Sequence, residues 1–157
     1  MVQSFQQVKY FICFYVEDKT NVCLLSVIVQ GLCLSCWAFS ATGSLEGQLF
    51  KRTGKLIPLS EQNLVDCDRK SHGCNRGFVH SALEYVKQNG INSEFSYSYT
   101  AEQGECHFNR SDIVTRCACV KCIQQNSEHQ LAAAVAQVGP ISVAIDASHK
   151  SFSLYKS

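Results

Sequence analysis

The chain has 157 residues, 46% of them hydrophobic and 17% charged, with a formal net charge of +1. That length supports one ordinary core, and that balance is globular rather than disordered. A near-neutral charge gives no electrostatic case for a nucleic-acid partner. Ten cysteines is a high count and points to an oxidising compartment or to bound metal.

Residues 1–29 differ from the rest of the chain. They contain no glycine, no proline and no helix-cap pattern. Phe11 to Val16 is apolar but short, and Glu17 and Asp18 interrupt it. Val22 to Val29 is a second apolar run, which the pattern predicts as a buried or aggregation-prone strand. A secretory signal needs a basic start, an unbroken apolar stretch and small residues at a cleavage site, and this segment lacks that order. Neither run approaches the ~18–20 residues of a membrane span, so no membrane partner is expected.

From Ser35 the pattern becomes regular. Trp37, Ala41, Leu45 and Leu49 recur at helical spacing, which predicts a helix from Cys36 to about Arg52, with Gly54 as its stop. Ser60 is placed to cap a short helix through Leu64 and Val65, with Glu61 at its positive end. Phe78 to Gln88 reads as a third helix, closed by Asn89 and Gly90. Residues 91–126 are rich in turn formers and read as loop with short strands. Ser127 and Gln130 have capping-box spacing before a helix over Leu131 to Val138, which Gly139 and Pro140 stop. Ile141, Val143 and Ile145 alternate with smaller or polar residues, a strand signal. Helices first, then loop and strand, give an α+β class.

The chemistry lies in Gln30-Gly31-Leu32-Cys33-Leu34-Ser35-Cys36-Trp37-Ala38-Phe39-Ser40. A cysteine in the first turn of a helix meets about half a positive charge, which favours its thiolate. The same backbone amides can stabilise an oxyanion during acyl transfer. An isolated cysteine on an apolar helix is more commonly inert and buried. The neighbours of Cys36 decide the matter. This stretch resembles the active-site cysteine motif of the papain and cathepsin peptidases. The resemblance continues through Leu59-Ser60-Glu61-Gln62-Asn63-Leu64-Val65-Asp66-Cys67, through Gly73-Cys74-Asn75-Arg76-Gly77, and through Val138-Gly139-Pro140-Ile141-Ser142-Val143-Ala144-Ile145-Asp146-Ala147. Ser40 to Gln48 is similar to cathepsin L in particular.

The resemblance implies a papain-like left lobe, mainly helical, with the start of the right β lobe, over residues 30–157. It leaves 1–29 as a non-homologous N-terminal segment. It implies Cys36 as nucleophile and Gln30 as the oxyanion-hole glutamine. It implies disulfides joining Cys33 to Cys74 and Cys67 to Cys106. Gly77 would pair with the substrate backbone, and Phe78, Val79 and Ala144 would line the pocket for its apolar side chain. Apolar residues at a helix start serve equally well as plain core. The implied partners are peptide substrates and cystatin-type inhibitors, the implied state is monomeric, and no cofactor is called for. The implied location is lysosomal or extracellular, or cytoplasmic where no signal peptide acts.

The chain departs from the family in several places. The family's catalytic histidine lies ~130–150 residues beyond the cysteine, hence at roughly 166–186 here. We therefore expect that histidine and its orienting asparagine to be absent, and the 157-residue polypeptide to be inactive. His72, His80, His107, His129 and His149 lack the family's His-Gly context and read as surface residues. Leu34 replaces a glycine and is expected to crowd the substrate chain. Arg76 replaces a loop glycine and is expected to be strained if φ is positive there. Cys13, Cys23, Cys117, Cys119 and Cys122 have no family partner. Cys119-x-x-Cys122 is half a zinc site at most, with Cys117 a third thiol and no fourth ligand, so no metal is expected. Asn109-Arg110-Ser111 is a glycosylation sequon. Two other roles stand beside an inactive peptidase: a non-catalytic binding module for peptidase inhibitors or propeptides, and a redox function for Cys36.

Overall fold

The computed structural model describes residues 10–13 and 29–145. Its longest element is helix α1, Cys36–Thr53, which carries the core. Trp37, Ala38, Ala41, Leu45 and Leu49 form its apolar stripe, and all five are buried. Small residues on the same helix (Ser40, Gly43, Ser44 and Gly47) let other elements approach closely. At its end Gly54 takes the left-handed conformation, φ 70°, and its N–H closes on the Phe50 carbonyl at 2.7 Å. Lys51 and Arg52 in the last turn complement the negative end of the helix.

Helix α2, Glu61–Cys67, starts at Ser60, whose hydroxyl accepts from the Asn63 N–H at 2.9 Å. Helix α3 runs Val79–Asn89, with Phe78 as its cap residue rather than its first turn. Asn89 lies inside the helix, and Gly90 (φ 95°) ends it. Both α2 and α3 pack on α1. The shared core is Trp37, Leu45, Leu59, Leu64, Val65, Val86 and Ile91, with Cys33 and three alanines between them. Losing one large member such as Trp37 would cost about 3–5 kcal/mol.

Strand β2, Ile91–Asn92, pairs antiparallel with β3, Ile113–Thr115, and a 3-10 helix at Arg110–Asp112 leads into β3. The rest of 93–127 is loop, fastened near its middle at two points. Asn92 donates its side-chain amide to the Asn109 carbonyl at 2.8 Å, and the Cys67–Cys106 disulfide ties the loop to the end of α2.

Helix α4, Glu128–Val138, begins one turn earlier than Leu131. Ser127 accepts from the Gln130 N–H, but the reciprocal half of the capping box is missing. The Gln130 side chain bonds Gln124 instead, because the 124–126 turn brings that residue closer. Strand β4, Ser142–Ile145, comes after Pro140. It pairs antiparallel with β1, Tyr10–Cys13, a strand that the short apolar run at Phe11 to Val16 did not predict. Val29 is exposed and lies in no strand, and the other residues of the Val22 to Val29 run fall outside the described residues. Ser142 Oγ donates to the Ser40 carbonyl at 2.8 Å, so β4 is anchored to α1. Pro140 fits against Gly47, where a Cβ would come within 2.8 Å of the ring. The result is a mainly helical α+β lobe.

Candidate active site

Cys36 is the first residue of α1 and is half-buried. Its sulfur remains a thiol and takes no part in the two disulfides. The first turn of α1 holds no acidic residue, whereas α2 and α4 each begin with a glutamate. The positive end of α1 is therefore not neutralised by a carboxylate of its own, which is the electrostatic setting a thiolate needs.

Two chain segments flank the thiol and are bound together. Cys33 is bridged to Cys74, and the Leu34 N–H donates to the Cys74 carbonyl at 2.9 Å. The 73–77 loop is thereby held beside the segment that leads into Cys36. Trp37 Nε1 donates to the Gly73 carbonyl at 3.3 Å. Gly77 lies flat on the Trp37 indole, where a Cβ would come within 2.2 Å of the ring. Only glycine allows that approach, and it leaves the backbone of residue 77 next to the start of α1.

Gln30 lies six residues before Cys36, and its carbonyl accepts from Tyr99 Oη at 2.8 Å. Phe78 projects into solvent with 58% of its surface exposed. Val79 is half-buried and packs on the core cluster. Ala144 is exposed on β4. A depression of about 270 Å³ at the far end of α2, lined by Asp68, Lys70, Tyr85 and Gln88 among others, includes none of these residues.

One expectation about a loop residue changes. Arg76 is not at positive φ; among described non-glycine residues only Ala101 and Asn126 are. The turn instead closes with the His72 N–H on the Arg76 carbonyl at 2.8 Å, so arginine fits without strain. Leu34 is 56% exposed, and Leu32 near it is fully exposed, so the segment before Cys36 presents two apolar side chains to solvent. The four described histidines, His72, His80, His107 and His129, are all exposed, and His149 lies outside the described residues.

Among the described residues no group of three His, Cys, Asp or Glu side chains converges as a metal site. Cys117, Cys119 and Cys122 are thiols, with Cys122 Sγ 4.0 Å from His80 Nδ1. No described helix is long and apolar enough to cross a membrane.

Sequence patterning did not find a set of acids behind the site. Glu61 accepts from Thr42 Oγ1 at 2.6 Å, Glu46 from the Leu59 N–H at 2.7 Å, and Glu94 from the Tyr99 N–H at 2.8 Å. Burial pushes Glu61 up to about 8 and Glu46 up to about 7, and repulsion from Glu94 adds to both shifts. Glu94 is raised by burial as well, and its Oε2 is buried with no hydrogen-bond partner among the described residues. The available signal was Glu46 on the apolar face of α1.

Cys36 opens α1, and the Cys33–Cys74 disulfide holds the 73–77 glycine loop next to it. Residues 15–157 match the model of the papain family cysteine proteases, and the chain belongs to that family. It is 50% identical over 143 residues to cathepsin L1 of Drosophila melanogaster, covering 89% of this chain and 38% of that protein. It is 53% identical over 131 residues to human cathepsin L2, covering 82% of this chain and 39% of that protein. Among solved structures, the digestive procathepsin L2 proteinase of Tenebrio molitor larval midgut superposes with a TM-score of 0.75 at 40% identity, over 78% of this chain and 40% of that one. The chain thus spans about two-fifths of the length of these relatives.

Proposed function

We propose that this lobe supplies the nucleophile and oxyanion half of a cathepsin L-like cysteine endopeptidase. The observation that carries this is Cys36 opening α1 beside the Gly73–Gly77 loop, with the Cys33–Cys74 bridge holding the two together. In this reading the Cys36 thiolate attacks a peptide carbonyl. The α1 amides and the Gln30 side chain receive the developing oxyanion. Gly77 offers its backbone to the substrate chain, and Phe78, Val79 and Ala144 border the pocket for an apolar side chain. The two disulfides favour an oxidising setting, such as a lysosomal or extracellular one.

The 157-residue polypeptide by itself does not turn peptides over in this reading. A free thiol near 8.5 is on the order of 0.03% thiolate at pH 5. A helix end lowers such a thiol only modestly, and general-acid help for the leaving amine needs an imidazole, which the family resemblance puts at roughly 166–186. A second role is favoured by the exposed Leu32, Leu34 and Phe78 around the site, an apolar surface suited to a cystatin-type inhibitor.

The test is an epoxide or vinyl-sulfone probe applied to the reduced, folded polypeptide at acidic pH, alongside a fluorogenic peptide and a cystatin titration. Slow labelling lost in Cys36→Ala, with cystatin binding and no turnover, is the expected result. Peptide turnover that vanishes in Cys36→Ala would overturn the inactive reading. Equal labelling of Cys36→Ala would overturn the nucleophile assignment.

A further inference from the structure

Serine is among the best residues for starting a helix, because its hydroxyl accepts from an N–H two or three positions on. Ser60 and Ser127 do this for α2 and α4. Ser35, at the same position before α1, does not. Its hydroxyl is fully buried and is engaged by Tyr99 Oη, at 2.5 Å across 64 residues of chain.

Proton counting fixes the direction. Tyr99 has one hydroxyl proton, and the Gln30 carbonyl, 2.8 Å away, can only accept. Tyr99 therefore donates to Gln30, and Ser35 donates to Tyr99 rather than to the Cys33 carbonyl, which lies farther off at 3.5 Å. The Tyr99 ring is braced edge-on by Phe39 at 5.0 Å, and its N–H is held by Glu94 Oε1 at 2.8 Å. Tyr99 thus sits at a junction of the oxyanion glutamine, the residue before the nucleophile and the first turn of α1.

We propose that Tyr99 is a positioning residue for Cys36: it holds the Gln30 backbone and diverts the Ser35 hydroxyl from α1, so that the Cys36 and Trp37 amides remain directed at the thiolate and the oxyanion, the Ala38 N–H being closed on the Ser35 carbonyl at 2.8 Å. A capped α1 would place a partly negative oxygen on those amides and weaken the potential at Cys36. The missing acid in the first turn of α1 fits the same requirement. The proposal rests on Cys36 being the nucleophile of this lobe.

The test is the second-order rate of iodoacetamide alkylation at Cys36, read by peptide mass spectrometry between pH 4 and 10. The thiolate displaces iodide to form a thioether, so the rate follows thiolate fraction and its stabilisation. Wild type should react faster at pH 6 than the same chain unfolded in urea. Tyr99→Phe frees Ser35 to cap α1; it should slow the reaction roughly two- to fivefold at pH 6 and move the midpoint of the profile upward. Adding Ser35→Ala to Tyr99→Phe should restore both, because no hydroxyl is left to cap. Thermal unfolding of each variant by circular dichroism checks that the fold persists. An unchanged profile in Tyr99→Phe, or no restoration in the double variant, overturns the positioning role while leaving Cys36 as nucleophile. A folded wild type no faster than the unfolded chain overturns both.

Discussion

Gly77 lies against the face of Trp37 so closely that a Cβ there would sit 2.2 Å from the indole. Trp37 is itself 1% exposed and cannot retreat. The contact joins the helix that carries Cys36 to the loop that would take the substrate backbone. Gly77→Ala should therefore push the 73–77 loop outward and destabilise the lobe by about 1–3 kcal/mol. Urea denaturation followed by Trp37 fluorescence would measure this directly, and an unchanged midpoint would show that the loop yields at no cost.

The buried acids give a pH dependence with a definite sign. Folding raises Glu61 to about 8 and Glu46 to about 7, and raises Glu94. The folded lobe therefore binds more protons than the unfolded chain above the ordinary carboxyl value of 4.5. Stability from these groups is full below about pH 4.5 and is lost as pH rises through 7 to 8. Tm should fall by roughly 5 °C or more between pH 5 and pH 8.5. Glu61→Gln keeps an acceptor for Thr42 without a charge and should flatten that slope. A Tm that rises over this interval would contradict the sign.

The two disulfides close loops of similar span, with sequence separations of 41 and 39. Their removal should act differently on the site. Cys67→Ser with Cys106→Ser loosens the 93–109 loop and should cost about 2–5 kcal/mol. Cys33→Ser with Cys74→Ser should cost a similar amount and should also slow Cys36 alkylation, because it releases the segment that leads into Cys36. Parallel denaturation and alkylation measurements separate the two effects.

Asn63 is a buried polar residue tying three segments. Its Oδ1 accepts from the Asn92 N–H at 3.2 Å, and its Nδ2 donates to Tyr85 Oη at 3.3 Å. Asn63→Leu leaves a buried N–H of β2 without its acceptor and should cost about 1–3 kcal/mol. Amide hydrogen exchange at Asn92 should speed up in step with the loss of global stability.

The sequence by itself placed Cys36 at the start of a helix, because apolar spacing, the Gly54 stop and the Ser60 and Ser127 caps are local signals read within one or two turns. It placed β4 by alternation but missed β1, since a four-residue strand carries almost no period of its own. It overstated the capping box at Ser127, because the Gln130 side chain had a nearer partner in Gln124. It read strain at Arg76 from residue type, while φ is set by how the turn closes. Tertiary structure alone decided the Tyr99 bonds to Gln30 and Ser35, the seating of Gly77 on Trp37 and the gathering of Glu46, Glu61 and Glu94. Each of these joins residues far apart in the chain or depends on burial. Such contacts leave no repeating mark in the sequence, because their energy comes from which surfaces meet once the helices have packed.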